Sequence, residues 1–231
     1  LISPANNQTI VGIFQDSLLG AYRFTRENIN FTPRDAMNLL MQHKNPNVEL
    51  LNGLDEISSF DILSQIMPPI SLNYKTKHYK DEQDVKTANT ILDIKNGRIS
   101  RGQLEKSVLG SGTKGILQRV CNDFGNMTAS DFIDDLQNIV TEYMKTSGYS
   151  VGISDLIADK RTNELIVEKI TDKKNDVKTI IDQTHLGVFA NKTGKSNNEE
   201  FETQINNILN EAAAAAGKIG RTNLSSNNRF T

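Results

Sequence analysis

The stretch Ile91-Leu92-Asp93-Ile94-Lys95-Asn96-Gly97-Arg98-Ile99-Ser100-Arg101 decides the fold class. Apolar and polar residues alternate with period two on both sides of Asn96-Gly97, and Asn-Gly between such flanks favours a two-residue hairpin turn. The spacing predicts a returning strand from Arg98 to Leu104. Ile70-Ser71-Leu72-Asn73-Tyr74-Lys75 has the same alternation and predicts a third strand. Residues 76–89, polar and charged, read as a solvated excursion between strands. On either side of this block the apolar period changes to that of a helix. The reading is therefore α+β: a mostly helical domain with a small antiparallel sheet.

Upstream, Ile13, Phe14, Leu18, Leu19 and Tyr22 recur at helical spacing and predict a helix from Ile10 to about Arg26. Thr32-Pro33-Arg34-Asp35 begins another helix, with a capping hydroxyl, proline at the first helical position and an acid in the first turn. That helix ends before Asn45-Pro46. A short apolar run from Ile57 to Met67 stops at Pro68-Pro69.

Downstream, Ile116, Leu117, Val120, Cys121 and Phe124 start a helical face. Thr128-Ala129-Ser130-Asp131 is expected to cap the next helix, whose inner side is Phe132, Ile133, Leu136, Ile139, Val140, Tyr143 and Met144. Gly148 ends it. Two long polar helices follow, with narrow apolar stripes: Leu165, Ile166, Ile170, Val177, Ile180 and Ile181, then Phe201, Ile205, Ile208, Leu209, Ala212 and Ile219. Stripes this narrow, joined by the Gly- and Lys-containing tip 191–198, imply an antiparallel helical hairpin. The division expected is 1–150 for the α+β part and 151–231 for the hairpin, incomplete at its C-terminal end.

Composition narrows the function. The chain has 231 residues, 26 basic against 28 acidic, and a net charge of −2, so no overall basic field attracts nucleic acid. No apolar run approaches the roughly 20 residues needed to span a bilayer, which implies no membrane partner. A single cysteine, Cys121, excludes an internal disulfide and a cysteine-rich zinc site, and it falls on an apolar helix face. His43, His78 and His185 lie in unrelated segments without partners at ligand spacing, so no metal site is expected. Gly110-Ser111-Gly112-Thr113-Lys114-Gly115 fails the spacing of a phosphate loop and reads as a connection. The acidic pairs Asp134-Asp135 and Glu199-Glu200 are expected on polar faces or helix starts. Ser17, Ser150 and Ser154 lack a nucleophile elbow and a plausible His-Asp pair. No catalytic residue is expected in the chain.

Two further stretches ask for more than packing. One is Ser3-Pro4-Ala5-Asn6-Asn7, followed by Gln15-Asp16-Ser17-Leu18-Leu19-Gly20-Ala21-Tyr22-Arg23-Phe24-Thr25. The other is Gly148-Tyr149-Ser150-Val151-Gly152-Ile153-Ser154-Asp155. In this order they resemble the largest subunit of multisubunit DNA-directed RNA polymerases, of eukaryotic or large-DNA-virus type. The resemblance is strong over 1–26 and 146–224 and thin over 40–105. It implies a pore domain and a funnel hairpin lining the secondary channel, through which nucleotides enter and backtracked RNA leaves. The Asp-rich cluster that holds catalytic Mg2+ in that family is absent and would lie before Leu1; the start at Leu1 suggests a piece of something longer. The isolated chain is expected to be inactive, although the full enzyme is a nucleotidyltransferase.

The resemblance also implies roles and partners. Gln15 and Asp16 face the active-centre side, while Asn210, Ala213 and Gly217 belong to the second funnel helix. At Ala213 the eukaryotic pattern has an Arg of the amatoxin pocket, and here Ala213 to Ala216 stand where it has charged residues, as a channel-facing change or as plain close-packing helical filler. Implied partners are the other polymerase subunits, especially the second-largest, the nucleotides and RNA 3′ end in the channel, and a transcript-cleavage factor. The implied location is the nucleus, or a virion or cytoplasmic viral factory, since heavy use of Asn, Ile and Lys suggests an AT-rich genome. A free-standing helical-hairpin adaptor without catalytic role is the alternative.

Overall fold

The computed structural model describes residues 1–77, 79, 86–191, 193–225 and 228–230. It divides into two compact units, Leu1–Tyr149 and Ser150–Thr231. The first is α+β and mostly helical, with small antiparallel sheets; the second is a pair of helices.

Helix α1 spans Gln15–Phe24, five residues shorter at its start than the apolar spacing predicts. Residues 10–14 instead run extended beside the connection to the long helix. The Ile13 N–H donates to Leu109 O at 3.0 Å, and a Cβ on Gly12 would stand 2.7 Å from Ser111 N. The bond and the close approach hold this segment against the connection instead of in a helical turn. Ile13 is buried, whereas Ile10, Val11 and Phe14 are exposed. The buried residues of α1 are Gly20, Ala21 and Phe24, while Leu18, Leu19 and Tyr22 are half-buried.

Strand β1, Asn30–Phe31, leads into helix α2, Pro33–Leu40, where the Thr32 hydroxyl accepts from Asp35 N–H as the sequence leads one to expect. Strand β2, Ile57–Ser58, pairs antiparallel with β1, a two-residue ladder too short to leave a period in the sequence. Helix α3, Ser59–Ile66, follows under a Ser58 cap. Strands β3 (Leu72–Lys75), β4 (Ile91–Lys95) and β5 (Arg98–Arg101) form the three-stranded sheet in the order β3-β4-β5. Asn96 (φ 47°) and Gly97 (φ 79°) are both left-handed, as a tight hairpin with matched twist requires.

Strand β5 ends three residues earlier than expected because Gly102 (φ 115°) turns the chain and Leu104 N–H bonds to the Thr25 hydroxyl at 2.9 Å. Buried Asn89 completes this joint: its amide donates to Thr25 O at 3.2 Å, and its oxygen accepts from Gly102 N–H at 2.8 Å. Thr76 and Asn89 are buried, so the ends of the supposed solvated excursion are in fact core. Its middle, including His78, lies outside the described residues.

A short helix α4, Lys106–Leu109, precedes helix α5, Ile116–Ser147. The Gly110–Gly115 segment thus joins two helices, and a Cβ on Gly115 would meet Val108 O at 2.9 Å. Helix α5 breaks at Gly125 (φ 88°, ψ 168°). Thr128 does not cap the second part; its hydroxyl donates back to Phe124 O at 3.0 Å. Phe132, Ile133, Leu136, Ile139, Val140 and Tyr143 are buried in one core with α1 to α3 and the sheet. Within it Phe24, Phe31 and Tyr143 form an aromatic cluster, with centroids 5.1–5.9 Å apart.

In the second unit a 3-10 turn at Ile153–Leu156 precedes helix α6, Lys160–His185, and helix α7, Asn197–Asn223. The Asp159 carboxylate caps α6, and Ser196 with Glu199 forms a capping box on α7. The two helices share a half-buried seam, Ile166, Ile170, Val177 and Ile180 against Ile205, Ile208, Ala212 and Ile219. Lys173 reaches Glu211 across the seam at 3.0 Å.

Candidate functional site

Structure brings the first motif stretch against Gly148 and Tyr149, the opening residues of the second. The Gly20 Cα faces helix α5 so closely that a Cβ there would stand 2.9 Å from Met144 Cγ and 3.3 Å from Val140 Cβ. One turn on, the Arg23 guanidinium donates to Gly148 O, the residue ending α5, and lies 5.2 Å from the Tyr149 ring centroid. A weak contact from the same nitrogen to Met144 Sδ, 3.9 Å, completes the set. Gly148 (φ 54°, ψ 170°) holds a backbone conformation that only glycine adopts readily. Gly20, Arg23, Gly148 and Tyr149 thus owe their place to one joint between α1 and the end of α5. Arg23 was visible in the sequence as part of a motif, but its partner lies 125 residues away.

At the other end of α1, Gln15 and Asp16 are exposed, with Gln15 at φ 50°. Phe14 occupies the cap position without a side-chain cap bond, so Asp16 in the first turn is the group that complements the helix dipole. Exposed Ile10, Val11 and Phe14 precede them, so the polar pair borders an apolar surface. The segment is fixed from behind by Thr9, whose buried hydroxyl accepts from Gly112 N–H, and by Gln118, which donates to Asn7 O.

On α7, Asn210, Ala213 and Gly217 are spaced i, i+3, i+7 and share one exposed face, together with Ala214. Ala212, Ala215 and Ala216 are half-buried. The alanine run therefore serves two purposes: close packing on α6 and a smooth outer face.

The acidic pairs depart from expectation. Asp134 is exposed, but Asp135 is buried and its carboxylate lies 2.9 Å from His43 Nδ1. The residues after α2 pack on α5, turning one of two adjacent aspartates inward; nearby, Lys44 pairs with Asp131 at 2.9 Å. Glu199 caps a helix, yet Glu200 is buried, accepting from the Thr193 hydroxyl and the Gln204 amide. Cys121 is buried, and burial pushes its thiol pKa up, away from nucleophilic character. Among the described residues no three His, Cys, Asp or Glu side chains come together to hold a metal ion. A cavity of about 600 Å3 between α3 and the hairpin turn, with Asp61 and Arg98 in its wall, includes none of the candidate residues. No helix among the described residues is long and apolar enough to cross a membrane.

The chain is thus a mostly helical α+β unit followed in sequence by a two-helix hairpin unit. The family model for RNA polymerase Rpb1, domain 3, matches residues 1–156, and the chain belongs to that family. DNA-directed RNA polymerase subunit 1 of Acanthamoeba polyphaga mimivirus is 31% identical over 183 residues, covering 78% of this chain and 11% of that protein. DNA-directed RNA polymerase subunit Rpo1N of Methanococcus vannielii is 27% identical over 239 residues, covering 99% of this chain and 26% of its own length. The chain thus spans about a tenth to a quarter of the curated relatives it matches.

Proposed function

We propose that the chain is the pore and funnel part of the largest subunit of a DNA-directed RNA polymerase, and that it works in transcription as part of that nucleotidyltransferase. The observation that carries this reading is the similarity to Rpo1N, which runs over 99% of the chain and so through both units. The adaptor alternative has no such support, since the family match occupies residues 1–156, which precede the hairpin helices.

In this reading 1–150 is the pore domain and 151–231 the funnel hairpin. Gln15 and Asp16 face the active centre, where Mg2+ is held by residues outside this chain. Asn210, Ala213 and Gly217 face the channel used by nucleotides and the RNA 3′ end. The other subunits, the second-largest foremost, and a cleavage factor are the partners. The nucleus is the location, or a virion or viral factory if the source is a large DNA virus.

The test is a crosslink in the whole enzyme. Ala213→Cys puts a thiol on the exposed face of α7, while Cys121 is buried and out of competition. A thiol-reactive group on the RNA 3′ end should capture this cysteine in backtracked complexes and not in forward ones. Equal capture in both states, or none, would remove α7 from the channel. Alanine at Gln15 and Asp16 should change elongation rate; a change only in thermal stability would make them helix-start residues.

A further inference from the structure

We propose that Arg23 acts as a strap that holds residues 148–149 against α1 and so suppresses hinge motion where the chain leaves α5. Gly148 is a natural hinge: at φ 54° and ψ 170° it sits where side chains are not tolerated, and a Cβ there would meet nothing within 4 Å. Its glycine identity is therefore set by backbone conformation and not by crowding. A glycine at an exposed helix end widens the backbone conformations open to the chain leaving it. Here the Arg23 guanidinium bonds the Gly148 carbonyl and covers the Tyr149 ring from 5.2 Å. The planar fork serves both contacts at once, one through N–H and one through its face.

The base of the strap is rigid. Arg23 lies between Tyr22 and buried Phe24 on α1, and Gly20 seats that helix against α5 at van der Waals distance. Thr25 then anchors the end of α1 through Leu104 N–H and Asn89. A guanidinium borne on such a helix can restrain the next two residues without strong burial of its own.

Chymotrypsin reads the strap directly, because it cleaves after Tyr149. In the 231-residue chain Arg23→Gln should speed cleavage after Tyr149 by about three- to tenfold, the factor expected when a cation–π contact and one hydrogen bond no longer hold a local segment closed. Arg23→Lys, which keeps the charge and loses the fork, should fall between. Cleavage after buried Phe132 and after Leu186 of the other unit should be unchanged. An unchanged rate after Tyr149 would overturn the proposal. A parallel rise after Phe132 would also overturn it, since Arg23 would then stabilise the whole unit and not the hinge.

Discussion

At the scale of single residues, backbone geometry explains more of this chain than side-chain chemistry does. Gly102 is the sharpest case: at φ 115°, a Cβ would lie 2.3 Å from Leu92 Cα, in the middle of the sheet. Neither backbone can yield without breaking the ladder. Gly102→Ala should therefore destabilise the first unit by about 3 kcal/mol or more, combining left-handed strain with overpacking. Gly217→Ala, in open space on a helix, should instead stabilise by up to about 1 kcal/mol. Urea titration of the two variants measures both signs. The His43–Asp135 pair allows a second test. Removing either partner takes away the bond of a buried Asp135 or a half-buried His43, so Asp135→Ala and His43→Ala should each cost about 1–2 kcal/mol. The double variant should cost less than the sum, whereas exposed Asp134→Ala should stay within about 0.5 kcal/mol.

At the scale of elements, most of the helices, the three-stranded sheet and its Asn96-Gly97 turn were legible in the sequence, because period and turn chemistry are local signals. What escaped depends on distant partners. The early residues Ile10 to Phe14 have a helical period, but the Ile10 N–H bonds Leu1 O and the Ile13 N–H bonds Leu109 O. Asp135 resembles its neighbour Asp134 until His43 arrives from the turn after α2. The motif around Gly20 and Arg23 was recognisable, yet its joint with Gly148 and Tyr149 needed the fold. The hairpin helices show how local capping sets pH response. Hydrogen bonds from Ser196 hold the Glu199 carboxyl below its ordinary pKa, and bonds from Thr162 do the same for Asp159. A depressed folded pKa contributes stability above the unfolded value, lost as pH falls through the folded one. Helicity of the second unit should therefore fall as pH drops below about 4, the ordinary carboxylate range. Glu199→Gln should flatten that acid limb, and Ser196→Ala should destabilise α7 by about 0.5–2 kcal/mol at neutral pH. Circular dichroism against pH checks both.

At the scale of the whole molecule, net charge and the exposed face of α7 set what the chain and its proposed assembly can bind. With a net charge of −2, the isolated chain offers little phosphate neutralisation, so it should bind duplex DNA no tighter than micromolar at physiological salt and should not polymerise nucleotides. Submicromolar binding in a fluorescence titration would contradict this. The exposed face of α7 carries the last prediction. Asn210, Ala213 and Gly217 share that face, and in the reading proposed above Ala213 takes the place of an amatoxin-contacting Arg of the eukaryotic pattern. Alanine offers no side-chain donor, and losing a hydrogen bond to a charged donor costs about 1.5–3 kcal/mol, roughly ten- to a hundredfold in affinity. The full enzyme should resist such toxins accordingly. Ala213→Arg has room to restore the contact, because the position is exposed and a Cβ at neighbouring Gly217 meets nothing within 4 Å. RNA synthesis measured against toxin concentration should shift by that factor on substitution. Full sensitivity of the unsubstituted enzyme, or no shift in the variant, would show that this face of α7 does not meet the toxin.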